Sequence, residues 1–148
     1  MTSGEACPLP SRSPGAEAAA VDAMLQSKRI VIVGLSDDPA RPSHGIAGYL
    51  ISHGFDVVGV NPNHREILHR KCYPTLAAVP GAIDLVNVFR RAEFCADVTR
   101  DAIAAGAKGV WLQAGIRNEQ AKQLAADAGV AFVQDRCIMV EHMSRRRG

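Results

Sequence analysis

The residues best suited to chemistry in this 148-residue chain gather in a few short stretches rich in hydroxyls, cations and glycine. The first is GLSDDPARPS, residues 34–43. Gly34 can end a strand without a side chain blocking a ligand, Ser36 and Ser43 offer hydroxyls, and Arg41 is a fixed cation. Pro42 precedes Ser43, which is expected to cap the next helix and turn its free amides outward. Together these suit an anionic phosphate group. A plain Pro/Asp/Ser turn uses the same residue types, but the position directly after the first strand favours phosphate. Asn61-Pro62 is a second stretch: the Asn61 amide can meet a ligand edge as donor and acceptor, or merely end a strand in a turn. In the third, Val88 and Phe89 could flank a flat heterocycle while Arg90 and Arg91 supply charge, although a strand-end Phe more often belongs to a core. In the fourth, Gln113-Ala114-Gly115-Ile116-Arg117, Gly115 allows close backbone approach and Ile116-Arg117 opens a helix.

Several chemistries lack their residues. A GxGxxG fingerprint would need glycine at Ser36 and Pro39, and the second strand ends Val60-Asn61-Pro62 with no acid for a ribose, which demotes NAD. No GxxxxGK[ST] motif is present. His64, His69 and Cys72 match no standard zinc spacing, so no metal is expected. No paired carboxylates or Ser/His/Asp set falls on the loops above, and no catalytic residue is assigned. Cys137 is the one reactive candidate. Arg136 and a helix N-terminus are expected to favour its thiolate, which could form a mixed disulfide, although a packed apolar thiol is the commoner fate.

These loops need a frame. Short apolar runs at 29–33, 56–60, 84–89, 108–112 and 130–133 lie 20–30 residues apart, the repeat of βα units feeding a parallel sheet covered on both faces. Helix-like segments at 16–26, 43–53, 93–105, 118–128 and 138–143 alternate with them, and 61–80 is less regular apart from a turn opened by Tyr73-Pro74-Thr75-Leu76. The expected fold is α/β: a Rossmann-like, doubly wound, five-stranded parallel sheet of order 3-2-1-4-5 with helices on both faces. The functional edge is then the carboxyl ends of the strands. Residues 1–16 are expected to be a disordered leader, 17–143 the domain, and 144–148 a basic tail. A formal charge of +2 and 5% aromatic residues argue against nucleic acid. No run approaches the roughly 18–20 apolar residues of a membrane helix. The N-terminus lacks a signal-peptide pattern, and Cys7, Cys72, Cys95 and Cys137 form no CxxC pair, so a cytoplasmic chain with reduced thiols is expected.

Val33-Gly34-Leu35-Ser36, Arg41-Pro42-Ser43, Val60-Asn61-Pro62, Asn87-Val88-Phe89-Arg90, Val110-Trp111-Leu112-Gln113, Gly115-Ile116-Arg117-Asn118 and Asp135-Arg136-Cys137 occur in that order. In this the chain resembles the small stand-alone CoA-binding proteins, similar in fold to the N-terminal domain of the succinyl-CoA synthetase alpha subunit. The resemblance runs from about residue 18 to 142. It implies that Gly34, Ser36, Arg41 and Ser43 hold the pyrophosphate of coenzyme A, with Pro42 in the same motif. Asn61, Pro62, Val88 and Phe89 would line the adenosine half. Gln113, Gly115 and Ile116 would lie near the pantetheine arm, with Arg136 close by. Arg41, His64, Lys71 and Arg90 are open alternatives for the 3′-phosphate. The implied function is a non-catalytic CoA or acyl-CoA binder acting as carrier, sensor or regulatory module. The alternatives are an NAD-linked oxidoreductase or the CoA-binding subunit of a ligase completed by another chain. The chain departs from the pattern at Ala114, where a larger apolar residue is usual, and at Gly45 and Gly48.

Overall fold

The computed structural model describes residues 14–147. Elements follow the apolar periodicity closely. Helix α1 (Pro14–Met24) leads into β1 (Arg29–Val33), α2 (Pro42–Ser52) and β2 (Asp56–Val60). A hairpin of β3 (Glu66–Ile67) and β4 (Arg70–Tyr73) follows, then a 3-10 turn at Leu76–Ala78 and β5 (Leu85–Val88). The chain closes with α3 (Cys95–Ala104), β6 (Gly109–Leu112), α4 (Glu119–Ala128), β7 (Ala131–Val133) and α5 (Ile138–Arg147). The expected leader largely lies outside the described residues, except that α1 already begins at Pro14. At the other end α5 continues through residues expected to form a tail.

The α/β, Rossmann-like class holds, but strand number and order differ from expectation. The sheet has seven strands in the order β3-β4-β2-β1-β5-β6-β7. The stretch after β2, expected to be irregular, folds into a hairpin whose β4 pairs parallel to β2. That hairpin occupies the position where 3-2-1-4-5 would place the third main strand. The strand itself, β5, instead pairs with β1 on the opposite side, from Ile30↔Leu85 to Val33↔Val88. Its four residues are fully buried, as a strand with neighbours on both sides requires. The main parallel strands therefore run 2-1-3-4-5, and the strand order reverses between β1 and β5.

Alternate residues of each strand feed two cores. One packs Ile30, Ile32, Val57, Leu85 and Trp111 against Val21 and Met24 of α1, Ile46 and Leu50 of α2 and Ile138 of α5. The other packs Val31, Val33, Val86, Val88 and Val110 against Val98 and Ala102 of α3 and Ala121 of α4. Both faces of the sheet are thus covered, which leaves its strand ends as the place for a ligand.

Candidate functional site

Strand β1 exits through Gly34, held at φ +91, where an added Cβ would stand 3.0 Å from the Phe89 carbonyl oxygen. The Phe89 amide donates to the Val33 carbonyl at 2.9 Å. The exits of β1 and β5 are thereby laced together at the switch point. Beyond Gly34 the chain folds into nested turns. Ser36 N donates to Ser43 Oγ at 3.0 Å, Asp38 N to Ser36 Oγ at 3.0 Å, and Ala40 N to Asp38 Oδ1 at 2.9 Å. Each serine oxygen thus accepts from inside the loop, which leaves its hydroxyl proton to donate outward.

Ser43 does not cap α2 as expected. Arg41 occupies the N-cap without a side-chain cap bond, and Pro42 begins the helix, where its missing N–H costs nothing. Ser43 lies one position further in, 3% exposed, with its hydroxyl turned back to the loop.

A cleft of about 500 Å³ lies over this switch point. From the β1 side it is lined by Gly34, Ser36, Arg41, Pro42 and Ser43, and from the β5 and β6 side by Phe89, Arg90, Gln113 and Ile116, with Ala114 beside them. Its volume falls within the range of small-molecule sites. No carboxylate is among these lining residues. Asp37 faces His64 instead, 3.3 Å from its Nε2, and Asp38 is held in the turn. None of the ion pairs among the described residues engages Arg41 or Arg90, and the Arg90 guanidinium lies 4.8 Å from the Phe94 ring centre. The cleft therefore presents donors and cations over a partly apolar floor.

The other expected residues stand apart from the cleft lining. Asn61 uses both ends of its amide internally: Nδ2 donates to Leu35 O at 2.8 Å and Oδ1 accepts from Asn63 N at 2.7 Å. It ties the β2 exit to the β1 exit, with Pro62 exposed beside it. Val88 is fully buried in the α3/α4 core, and only its carbonyl reaches the Gln113 amide, at 3.2 Å. Gly115, at φ +85, donates to Asp135 Oδ1 at 2.7 Å. Arg136 faces Glu17 at 2.9 Å and Glu141 at 3.2 Å, so its charge joins α1 to α5. Cys137 is a free, half-buried thiol just before α5.

Asp135 carries a positioning role that residue types alone did not reveal. At φ +58 it adopts a left-handed conformation and clasps the loop after β6 through Gly115 N and Arg117, the latter at 3.4 Å. The Gly115 N–H, and then Arg117, hold its carboxyl below the usual carboxylate value. Asn118 does cap α4 as expected, its side chain accepting from Ala121 N at 2.8 Å.

A sequence model described as "CoA binding domain" matches residues 28–143. The chain belongs to this CoA-binding domain family. It is 39% identical over 119 residues to the "Uncharacterized protein YneT" of Bacillus subtilis (strain 168), covering 80% of this chain and 88% of that protein. It is 30% identical over 102 residues to the ADP-forming acetate–CoA ligase II of Archaeoglobus fulgidus, covering 67% of this chain and 15% of the ligase. The chain thus matches one small part of that enzyme. In three dimensions it is similar to a hypothetical protein from Pyrococcus horikoshii OT3, with a TM-score of 0.83 and 34% identity, covering 99% of this chain and 100% of that one. Among the described residues, no helix of this family member is long and apolar enough to cross a membrane.

Proposed function

We propose that this chain binds coenzyme A or acyl-CoA in the switch-point cleft, as a non-catalytic cytoplasmic carrier, sensor or regulatory module. The observation that carries this reading is the one-sided chemistry of the lining. Two serine hydroxyls free to donate, the Arg41 and Arg90 guanidiniums and the α2 N-terminus surround a backbone path kept open at Gly34. A pyrophosphate needs convergent donors and cations with no carboxylate nearby. Phe89, Ala114 and Ile116 offer the apolar surface that a nucleotide and a pantetheine arm require. The residues present therefore fit the cofactor: Gly34, Ser36, Arg41 and Ser43 would hold phosphate, and Gln113 and Ile116 would meet the arm. Asn61, Pro62, Val88, Gly115 and Arg136 would support the site from behind. Bound CoA would supply a thiol that carries acyl groups.

Similarity to part of an acetate–CoA ligase favours one second reading, a CoA-binding subunit completed by another chain. Calorimetric titration with CoA, 3′-dephospho-CoA, acetyl-CoA and NAD tests the site. Micromolar CoA binding is expected, weakened about tenfold by Arg41→Ala, the scale of one charge-assisted hydrogen bond. NAD binding more tightly than CoA, or no CoA binding at all, would overturn the proposal.

A further inference from the structure

Beneath the cleft, a buried pair of amides joins β5, β6 and the start of α5. Asn87 is fully buried within β5, and Gln113, just past β6, is 6% exposed and lines the cleft. Asn87 Nδ2 donates to the Trp111 carbonyl at 3.4 Å and to Gln113 Oε1 at 3.3 Å. The Ile138 amide, the first of α5, donates to the same Oε1 at 3.4 Å.

The orientation of both side chains follows from what the backbone can do. A carbonyl only accepts and an N–H only donates. The Trp111 carbonyl therefore requires the NH₂ edge of Asn87. That edge, together with the Ile138 N–H, requires the oxygen edge of Gln113. Neither amide can flip without setting donor against donor or acceptor against acceptor. Gln113 Nε2 donates to no group among the described residues, so with Oε1 held inward it is the edge left for the cleft. We infer that Asn87 is a positioning residue for the ligand: it locks the Gln113 amide so that its NH₂ faces the cleft and selects a hydrogen-bond acceptor there.

Packing does not account for an asparagine at this position. Asn87 Oδ1 is buried with no partner among the described residues, and an unsatisfied buried acceptor costs stability that an apolar side chain would avoid. The acceptor recognised is a phosphate oxygen or an amide carbonyl of the ligand. Rejection of donors at this point matches the donor-rich lining around Arg41 and Ser43.

The inference rests on the CoA reading, and the test separates the two. Gln113→Glu keeps the shape and the inward oxygen but presents oxygen, not NH₂, to the cleft. Calorimetry on the full chain should show CoA affinity about tenfold weaker, the scale of one lost hydrogen bond with a repelled acceptor. Asn87→Leu is the second variant and should weaken CoA several-fold while the thermal midpoint of the free protein holds. In the Asn87→Leu background, Gln113→Glu should cost less than it does alone, a coupling in affinity that a purely structural role would not produce. Adenosine 3′,5′-bisphosphate locates the acceptor: equal weakening places it on the 3′-phosphate or the adenosine-side phosphate, and weakening confined to CoA places it on the pantetheine side, its phosphate included. A folded Gln113→Glu, or Asn87→Leu, that binds CoA as wild type does overturns the inference. Failure of the wild type to bind CoA overturns the underlying site instead.

Discussion

At the scale of single residues, Gly34 shows how closely backbone and ligand chemistry are joined. Its φ of +91 is strained for any L side chain, and a Cβ there would press on the Phe89 carbonyl at 3.0 Å. Gly34→Ala should therefore lower stability by about 1–3 kcal/mol through backbone strain, and should also weaken CoA by displacing the β1 or β5 exit. Denaturant melts and titration of the same variant check both; an alanine variant as stable and as tight as wild type would refute the account. Gly34, Ser36, Arg41 and Gln113 line one cleft, and that grouping was legible because each has its place just after a strand. Asn61 and Arg136 have equally suitable chemistry, but their partners, Leu35 and Asn63 for one and Glu17 and Glu141 for the other, come from tertiary packing. Asp135 stands in one of the motifs that carry the resemblance, but its role was hidden, because a left-handed Asp clasping Gly115 is set by the neighbouring loop rather than by local pattern.

At the scale of elements, the five main strands were readable because each is a short apolar run, largely buried in all but the edge strand β7. The helices between them were readable because small and apolar residues recur along them. The β3–β4 hairpin was not. Its two-residue turn is Leu68-His69, at φ +54 and +60, where Asn-Gly would be the recognisable choice. The strands it joins contain only two and four residues, too few for alternation to show. Strand order was hidden for a related reason: apolar runs say that a strand is buried, not which neighbour buries it. The strained turn yields a prediction of its own. His69 is exposed, so His69→Gly should relieve left-handed strain without removing packing and stabilise the fold by about 1 kcal/mol. In a domain of this size that is a rise of about 3 °C in Tm by scanning calorimetry. An unchanged or lower Tm would show that the turn stores no such strain.

At the scale of the whole molecule, the last described helix, α5, is joined to the first, α1. Arg136 bridges Glu17 and Glu141, and Arg145 pairs with Asp22 and Glu141, so α1 and α5 are bound across the end of the sheet. On its other side α5 reaches α2, the helix that lines the cleft, where the Tyr49 hydroxyl meets His142 Nδ1 at 2.6 Å. His53 and Phe55 pack edge-on to the His142 ring, at 5.3 and 5.4 Å between centres. Burial, then the nearby His53 and Arg146, push the His142 pKa below its ordinary 6.5. The folded protein thus favours neutral His142, and the unfolded chain binds the extra proton first. Stability from this contact is complete above pH 6.5 and declines as pH falls from there toward the depressed folded value. Asp84 and Asp135 add a separate, lower step. The Arg29 N–H holds Asp84 down and the Gly115 N–H holds Asp135 down, so their contributions persist above 3.8 and disappear only below it. Acid unfolding should accordingly have two distinguishable arms. His142→Gln keeps an acceptor for the Tyr49 hydroxyl but cannot titrate. Urea melts between about pH 7 and 5 should therefore show a slope in wild type that is reduced in His142→Gln, while both proteins fall alike below about pH 4. Equal slopes in the upper range would mean that the α2–α5 contact does not sense protons, and that the α5 dock is held by its ion pairs and apolar packing alone.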